Sequence, residues 1–136
     1  MDKAWWDVHL AELNRSFAGQ RYSSSNLGAE YQATYLPTLN AYANSGAGCI
    51  SLALFGDAQR VIMLGFDCQH TEGKAHWHGN HPSGLGNARQ TERWPALFAK
   101  LRADHPGAHI INASRTTALA CFERMDLENA IAETAR

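Results

Sequence analysis

The chain has 136 residues, of which 45% are hydrophobic and only 18% are charged. This balance is typical of one globular domain with its own core, and it excludes a disordered chain. A formal net charge of −1 gives no electrostatic indication of binding to nucleic acid or to an anionic membrane. We therefore predict a single domain over residues 1–136, with neither nucleic acid nor membrane as its partner.

The cysteines and the apolar segments indicate the compartment. Cys49, Cys68 and Cys121 are an odd number of cysteines without a Cys-x-x-Cys pair, which indicates reduced, buried thiols rather than a disulfide framework. No apolar run approaches the roughly 18 residues of a membrane-spanning helix, and the N-terminus lacks the apolar core of a signal peptide. These features predict a cytoplasmic protein.

Hydrophobic periodicity predicts the elements of the first half of the chain. Apolar residues at nearly 3.6-residue spacing indicate a helix over residues 2–17. A short strand is expected near residues 32–36, and a helix of small apolar residues over 46–56. Residues 60–67 are apolar on both faces, which is typical of a central parallel strand.

The second half continues the alternation of helix and strand. A glycine-rich loop spans residues 71–87, and an amphipathic helix is predicted over 89–105. A second buried strand follows at 108–114, and a terminal helix at 125–135. This order predicts an α/β fold with a small, mostly parallel sheet and helices on both of its faces.

An Asn-Ser-Gly turn precedes the small-residue helix. Asn44, Ser45 and Gly46 would present free backbone N–H groups at the positive end of the helix dipole, an arrangement that suits a phosphate or carboxylate. The alternative is an ordinary helix cap.

Polar residues follow both predicted buried strands. Asp67 ends the first strand, and Asn112, Ser114 and Arg115 lie at the end of the second. Because ligands of open α/β sheets bind outside the carboxyl ends of the strands, we expect these residues to line one crevice. Arg115 could hold an anion there. The alternative is two polar turns.

Residues 70–84 contain four of the seven histidines. His76, His78 and His81 form a His-x-His-x-x-His pattern that could bind zinc, but residues 76–81 contain no cysteine or carboxylate, and we predict no metal. A glycine-bounded lid that carries an acid/base histidine is a second interpretation. A solvated loop is the third.

The motifs together resemble a known superfamily. The stretch "NSGAGCISLALFGDAQRVIMLGFD" (residues 44–67), the Trp/His/Gly loop and "IINASRTTAL" are similar to Rossmann-like proteins of the 6-hydroxymethylpterin pyrophosphokinase-like and motility-accessory-factor superfamily. The superfamily is more distantly similar to bacterial sialyltransferases. The strongest resemblance is to short proteins of tailed bacteriophages and prophages, whose first helix begins much like "MDKAWWDVH".

The resemblance implies a three-layer Rossmann-like fold and a nucleotide or nucleotide-sugar ligand, with no other cofactor. Asn44, Ser45 and Gly46 would meet this ligand with Asp67 beside it. In the sialyltransferase relatives a lid histidine acts as general base, and His76 or His78 takes the comparable place. An enzyme of this kind would be a transferase that uses a nucleotide-activated donor.

The chain departs from the family pattern at its start. The relatives begin with a strand and a glycine-rich turn that help to hold the nucleotide, and this sequence has neither, so we expect an N-terminally reduced fold. One expectation is therefore a reduced glycosyltransferase-like or pyrophosphokinase-like domain. The other is a non-catalytic phage accessory protein, a nucleotide-signal sponge or interaction module. We favour the absence of demonstrable turnover. We also expect a homo-oligomer joined through an exposed sheet edge, in the host bacterial cytoplasm.

Overall fold

The computed structural model describes residues 3–71, 73–74, 81, 84–87 and 90–133, and within them the chain is a mixed α/β structure with short parallel sheets. The helices are α1 (Lys3–Ser16), α2 (Ser45–Phe55), α3 (Trp94–Asp104) and α4 (Leu127–Ala132), with 3₁₀ turns at Asn26–Tyr31 and Thr91–Arg93. The strands are β1 (Tyr22–Ser23), β2 (Thr34–Tyr35), β3 (Val61–Met63), β4 (Ile110–Asn112) and β5 (Glu123–Arg124).

The larger sheet has the order β3-β4-β5, and both of its strand pairs are parallel. Val61 pairs with Ile110 and Met63 with Asn112, so β3 and β4 end at the same edge of the sheet. All three residues of β4 are buried, as a central strand requires. The second sheet is the short parallel pair β1-β2.

The core lies where α2 and α3 meet the larger sheet. The Phe98 ring packs edge-on against Phe66 and Phe122, with ring centroids 5.9 and 6.3 Å apart. Other buried side chains of this cluster come from both helices, from the strands and from the segment after β4: Ala47, Ile50, Met63, Leu101, Ile110 and Leu119.

Helix α1 is anchored to the 3₁₀ turn at Asn26–Tyr31. The buried Trp6 ring stacks on Tyr31 at 5.5 Å between centroids. The Tyr31 hydroxyl donates to Asp7 at 2.8 Å and accepts from Lys3 at 2.8 Å. Hydrogen bonds from Tyr31 and Lys3 hold the pKa of the Asp7 carboxyl below its usual range. These contacts of the buried rings Trp6 and Tyr31, together with the exposed side chains Lys3 and Asp7, hold α1 against the 3₁₀ turn.

The prediction of an α/β fold with a small parallel sheet is confirmed, and α1, β2, β3, α3, β4 and α4 lie within their predicted ranges. Helix α2 begins one residue before its predicted start. Strand β3 has three residues rather than the eight of the apolar run, because the chain stops pairing with β4 at Leu64. The prediction of a central strand here is wrong: within the described residues β3 pairs with β4 alone and forms the edge of the sheet, and Val61 and Ile62 are only half-buried. The sequence does not predict strands β1 and β5, because a strand of two residues is too short to show an alternating hydrophobic pattern.

The prediction of buried thiols is correct for Cys68 and wrong for Cys49. Cys68 is buried, and burial, with Asp67 beside it, raises the pKa of its thiol to about 11. Cys121 is half-buried, and burial raises its pKa as well. Cys49 is exposed because α2 packs its Ala47–Ile50 side on the core, which turns Cys49 outward. In the described part of the chain, no helix is both long and apolar enough to cross a membrane.

Tyr42 makes the stability of the fold sensitive to alkaline pH. The Tyr42 side chain is buried, and its hydroxyl donates to Asp104 at 2.8 Å. Burial and the Asp104 carboxylate raise the pKa of Tyr42 to about 12 from its ordinary value near 10. The folded chain holds this proton more tightly than the unfolded chain. The contribution of the protonated Tyr42 hydroxyl to the free energy of unfolding is therefore complete below pH 10. It is lost as pH rises through about 12.

We therefore expect the stability advantage of the wild type over Tyr42→Phe to shrink between pH 10 and 12. Urea unfolding of both chains at pH 8, 10, 11 and 12 measures this difference, and the titration of other groups cancels between them. A constant difference over this range would contradict the prediction. Tyr22→Phe, at a half-buried tyrosine outside the core, is the matched control.

Candidate functional site

A cavity of about 1110 Å³, the sheet-edge cavity, opens at the carboxyl ends of β3, β4 and β5. Segments that follow each of the three strands line it. This is the edge at which ligands bind in open α/β sheets. The lining includes Asp67 and Thr71 after β3, Ser114, Arg115 and Thr116 after β4, and the segment from Arg124 to Asn129.

A buried asparagine holds the loop after β4. The Asn112 side chain is fully buried, and its Oδ1 accepts from the Ser114 N–H at 3.0 Å. Its Nδ2 donates to Thr117 Oγ1 at 3.2 Å, and Thr117 Oγ1 donates to the Phe66 carbonyl at 2.6 Å. Asn112 therefore lies behind the cavity wall and is not one of the residues that line it.

The Ser114 side chain also connects the loops after β3 and β4, this time as a hydrogen-bond acceptor. Its side chain is buried, and Oγ accepts from the Phe66 N–H at 2.8 Å. The Ala118 N–H donates to the Asp67 carbonyl, also at 2.8 Å. The loops after β3 and β4 are thus held together by side-chain and backbone hydrogen bonds at the point where both line the cavity.

Asp67 is oriented by a tight turn. Thr71 Oγ1 donates to Asp67 Oδ2 at 3.0 Å, and the Lys74 N–H closes the turn onto the Thr71 carbonyl at 3.0 Å. Gly73 has a positive φ of 73°, which favours glycine at this position. Within the described residues nothing donates to the other carboxylate oxygen, so Asp67 Oδ1 remains able to accept from a ligand hydroxyl.

The cavity carries charges of both signs. Arg124 Nη2 donates to the Ser114 carbonyl at 2.5 Å, so this guanidinium is part of the wall. Arg115 is exposed, and its guanidinium has no hydrogen bond to any described residue. Asp126 and Glu128 add carboxylates at the start of α4. Such a site suits a ligand that combines an anionic group with several hydroxyls.

The Asn-Ser-Gly turn, residues 44–46, does not line the sheet-edge cavity. Asn44 Oδ1 caps α2 by accepting from the Ala47 N–H at 3.1 Å, and Asn44 and Ser45 line a separate cavity of about 590 Å³. A Cβ on Gly46 would lie 2.8 Å from Phe66 Cε1, so this glycine allows α2 to pack closely on the Phe66 ring. None of the three lines the sheet-edge cavity.

Of the residues predicted from the sequence, the structure brings Asp67, Ser114 and Arg115 together at one cavity. His76 and His78 lie outside the described residues. Sequence reasoning missed Thr71 and Thr117. The polar stretch after β4 signals a turn, but it does not tell which hydroxyl crosses to the neighbouring loop.

In the described part of the chain, no group of three or more histidine, cysteine, aspartate or glutamate side chains could hold a metal ion. Comparison of the chain with protein-family models, with curated proteins and with solved structures finds no match in any of the three.

The Asn112 side chain yields a prediction for stability. Asn112→Ala removes the acceptor for the Ser114 N–H and the donor to Thr117 in a buried setting. We expect the free energy of unfolding to fall by about 2–3 kcal/mol. Urea denaturation followed by circular dichroism measures it. Asn129→Ala, an exposed position on α4, is the control and should change stability by less than about 0.5 kcal/mol. Equal effects of the two substitutions would contradict the assignment.

Proposed function

We propose that this protein binds a nucleotide or a nucleotide-sugar in the sheet-edge cavity. The observation that supports the proposal is the convergence of Asp67, Ser114 and Arg115 where two neighbouring parallel strands end. This is the position at which Rossmann-like folds bind their ligands. The same proposal includes the three-layer Rossmann-like architecture, the phage or prophage origin and the host cytoplasm as the location.

The charges of the cavity favour one kind of nucleotide. In the proposed complex the free Arg115 guanidinium pairs with the phosphates, and Asp67 Oδ1 accepts from ribose or sugar hydroxyls. Asp126 and Glu128 oppose a densely charged triphosphate. A nucleotide-sugar carries more hydroxyls for each negative charge than ATP does. The volume of about 1110 Å³ is at the upper end of ligand pockets and accommodates a ligand of this size.

The proposal concerns binding, and turnover is a separate question. By resemblance, His76 or His78 would be the general base of a transfer reaction. Both lie outside the described residues, so no described contact bears on this role.

Titration calorimetry with CMP-, UDP- and GDP-sugars and with ATP tests the proposal. We expect a nucleotide-sugar to bind more tightly than ATP. Arg115→Gln should weaken this binding about tenfold, since a charge-assisted hydrogen bond contributes on the order of 1.5 kcal/mol or more. Asp67→Asn should weaken it as well, because the amide presents a donor where the proposal needs an acceptor. Arg15→Gln, a change of the same kind on exposed α1, is the control. No binding at millimolar ligand would refute the proposal.

A second candidate is a non-catalytic interaction module that assembles through the edge of the sheet. In the described residues, β3 has a strand on one side only. The Val61 N–H and the Met63 carbonyl bond across to the β4 segment, so the N–H and C=O of Ile62 point to the open side. Leu64 directly follows β3 and is 53% exposed. Open edges of this kind pair with other chains.

If this candidate is correct, light scattering should give a mass of about twice the 15.0 kDa of the chain. Leu64→Lys should then reduce the mass to that of the monomer, because a charge beside an edge strand opposes pairing. Val8→Lys, at an equally exposed position on α1, should leave the dimer intact. A monomeric wild type at every concentration would exclude this candidate.

A further inference from the structure

A second cavity, the interhelix cavity, lies between α1 and the outward face of α2. It measures about 300 Å³, and no described residue lines both it and the sheet-edge cavity. Trp5 and Leu13 of α1 form one wall, and Gly48 and Leu52 of α2 form the other. Its size is at the lower end of small-molecule pockets, and its walls are mainly apolar.

One end of the cavity is cationic. Arg21 lies between this cavity and a neighbouring one of about 760 Å³, since it lines both, and its backbone carbonyl accepts from the Thr34 N–H at 2.8 Å. Its Nη1 donates to Asn14 Oδ1 at 2.7 Å and to the Tyr31 carbonyl at 3.5 Å. Both contacts use one nitrogen, and within the described residues the Nε and Nη2 hydrogens of this half-buried residue have no acceptor.

The described lining of the cavity offers no counter-ion for this guanidinium. Among the described residues that line it, none is an aspartate or a glutamate. Ser45, Gly48, Cys49 and Leu52 all line the cavity, and their spacing puts them on one side of α2, so the cavity lies along the flank of this helix.

We propose that the interhelix cavity binds a small amphiphilic carboxylate, with its hydrocarbon or aromatic body between the two helices and its carboxylate on Arg21. The apolar walls account for the body, and the charge complementarity accounts for the head group. A nucleotide does not fit this chemistry, because the walls offer few partners for its hydroxyls and the volume is about a quarter of that of the sheet-edge cavity.

Cys49 provides a reporter at the site. It is exposed and lines the interhelix cavity, whereas Cys68 is buried with the pKa of its thiol raised to about 11. Iodoacetamide should therefore alkylate Cys49 well before Cys68. A ligand in the cavity covers the Cys49 sulfur and slows this reaction, which mass spectrometry follows residue by residue.

The test uses 4-phenylbutyrate and its neutral analogue 4-phenyl-1-butanol. We expect the carboxylate to protect Cys49 at lower concentration than the alcohol, by about tenfold, and to quench tryptophan fluorescence over the same range. Arg21→Met keeps an apolar stem and removes the charge, so it should raise the half-protecting concentration of the carboxylate about tenfold and leave that of the alcohol unchanged. Arg15→Met, on the exposed side of α1, is the matched control.

Leu52→Trp fills the cavity and should abolish protection by both compounds. If this variant fails to fold, as circular dichroism would reveal, the comparison of the two compounds on wild type and Arg21→Met decides the question alone. Equal protection by acid and alcohol, or an unchanged carboxylate response in Arg21→Met, would overturn the proposal. A dimer that protects Cys49 without any ligand would overturn it too, since a second copy would then occupy the cavity.

Discussion

The candidate site depends on one constraint. The backbone N–H and C=O groups just after β3 and β4 need hydrogen-bond partners, although neither strand continues far enough to supply them. Parallel strands that end at one edge bury the first polar groups of their loops, and buried N–H and C=O groups need partners. The Asn112 amide, the Thr117 hydroxyl and the Ser114 hydroxyl supply them. Each bond crosses from one loop to the other or closes a turn, so the two loops form one rigid wall.

This constraint divides the polar residues into two groups. Asn112 and Ser114 are buried and their side chains are engaged within the wall, whereas Asp67 and Arg115 keep hydrogen-bonding capacity towards the cavity. Binding residues of the second kind are useful only because residues of the first kind fix the loops. Arg124 is exposed, but its side chain is engaged like those of the first group, because its guanidinium donates to the Ser114 carbonyl.

The sequence predicts this arrangement only in part, for a physical reason. The apolar runs around Ile62 and Ile111 are long enough to identify two parallel strands, of which only the second is fully buried, and strand ends locate the site. The sequence shows neither the burial nor the hydrogen-bond partners of a polar residue at the end of a strand. It therefore does not distinguish Asn112, which supports the loop, from Arg115, which faces the cavity. Strand β5 could not be found, because its pairing with β4 is a tertiary contact without a local pattern.

The position of the Asn-Ser-Gly turn also could not be predicted from the sequence. We expected it to meet a ligand beside Asp67, but it does not line the sheet-edge cavity. The turn does begin α2 as predicted, but the Phe66 ring packs on Gly46. The backbone N–H of Phe66 donates to the Ser114 hydroxyl, and its carbonyl accepts from the Thr117 hydroxyl. The Phe66 ring also packs edge-on against Phe98, and a ring in such a close-packed interior does not move aside for a ligand at low cost. No described residue lines both the sheet-edge cavity and the interhelix cavity. Each must be understood from its own chemistry, one from mixed charge at strand ends and the other from a guanidinium beside mainly apolar walls.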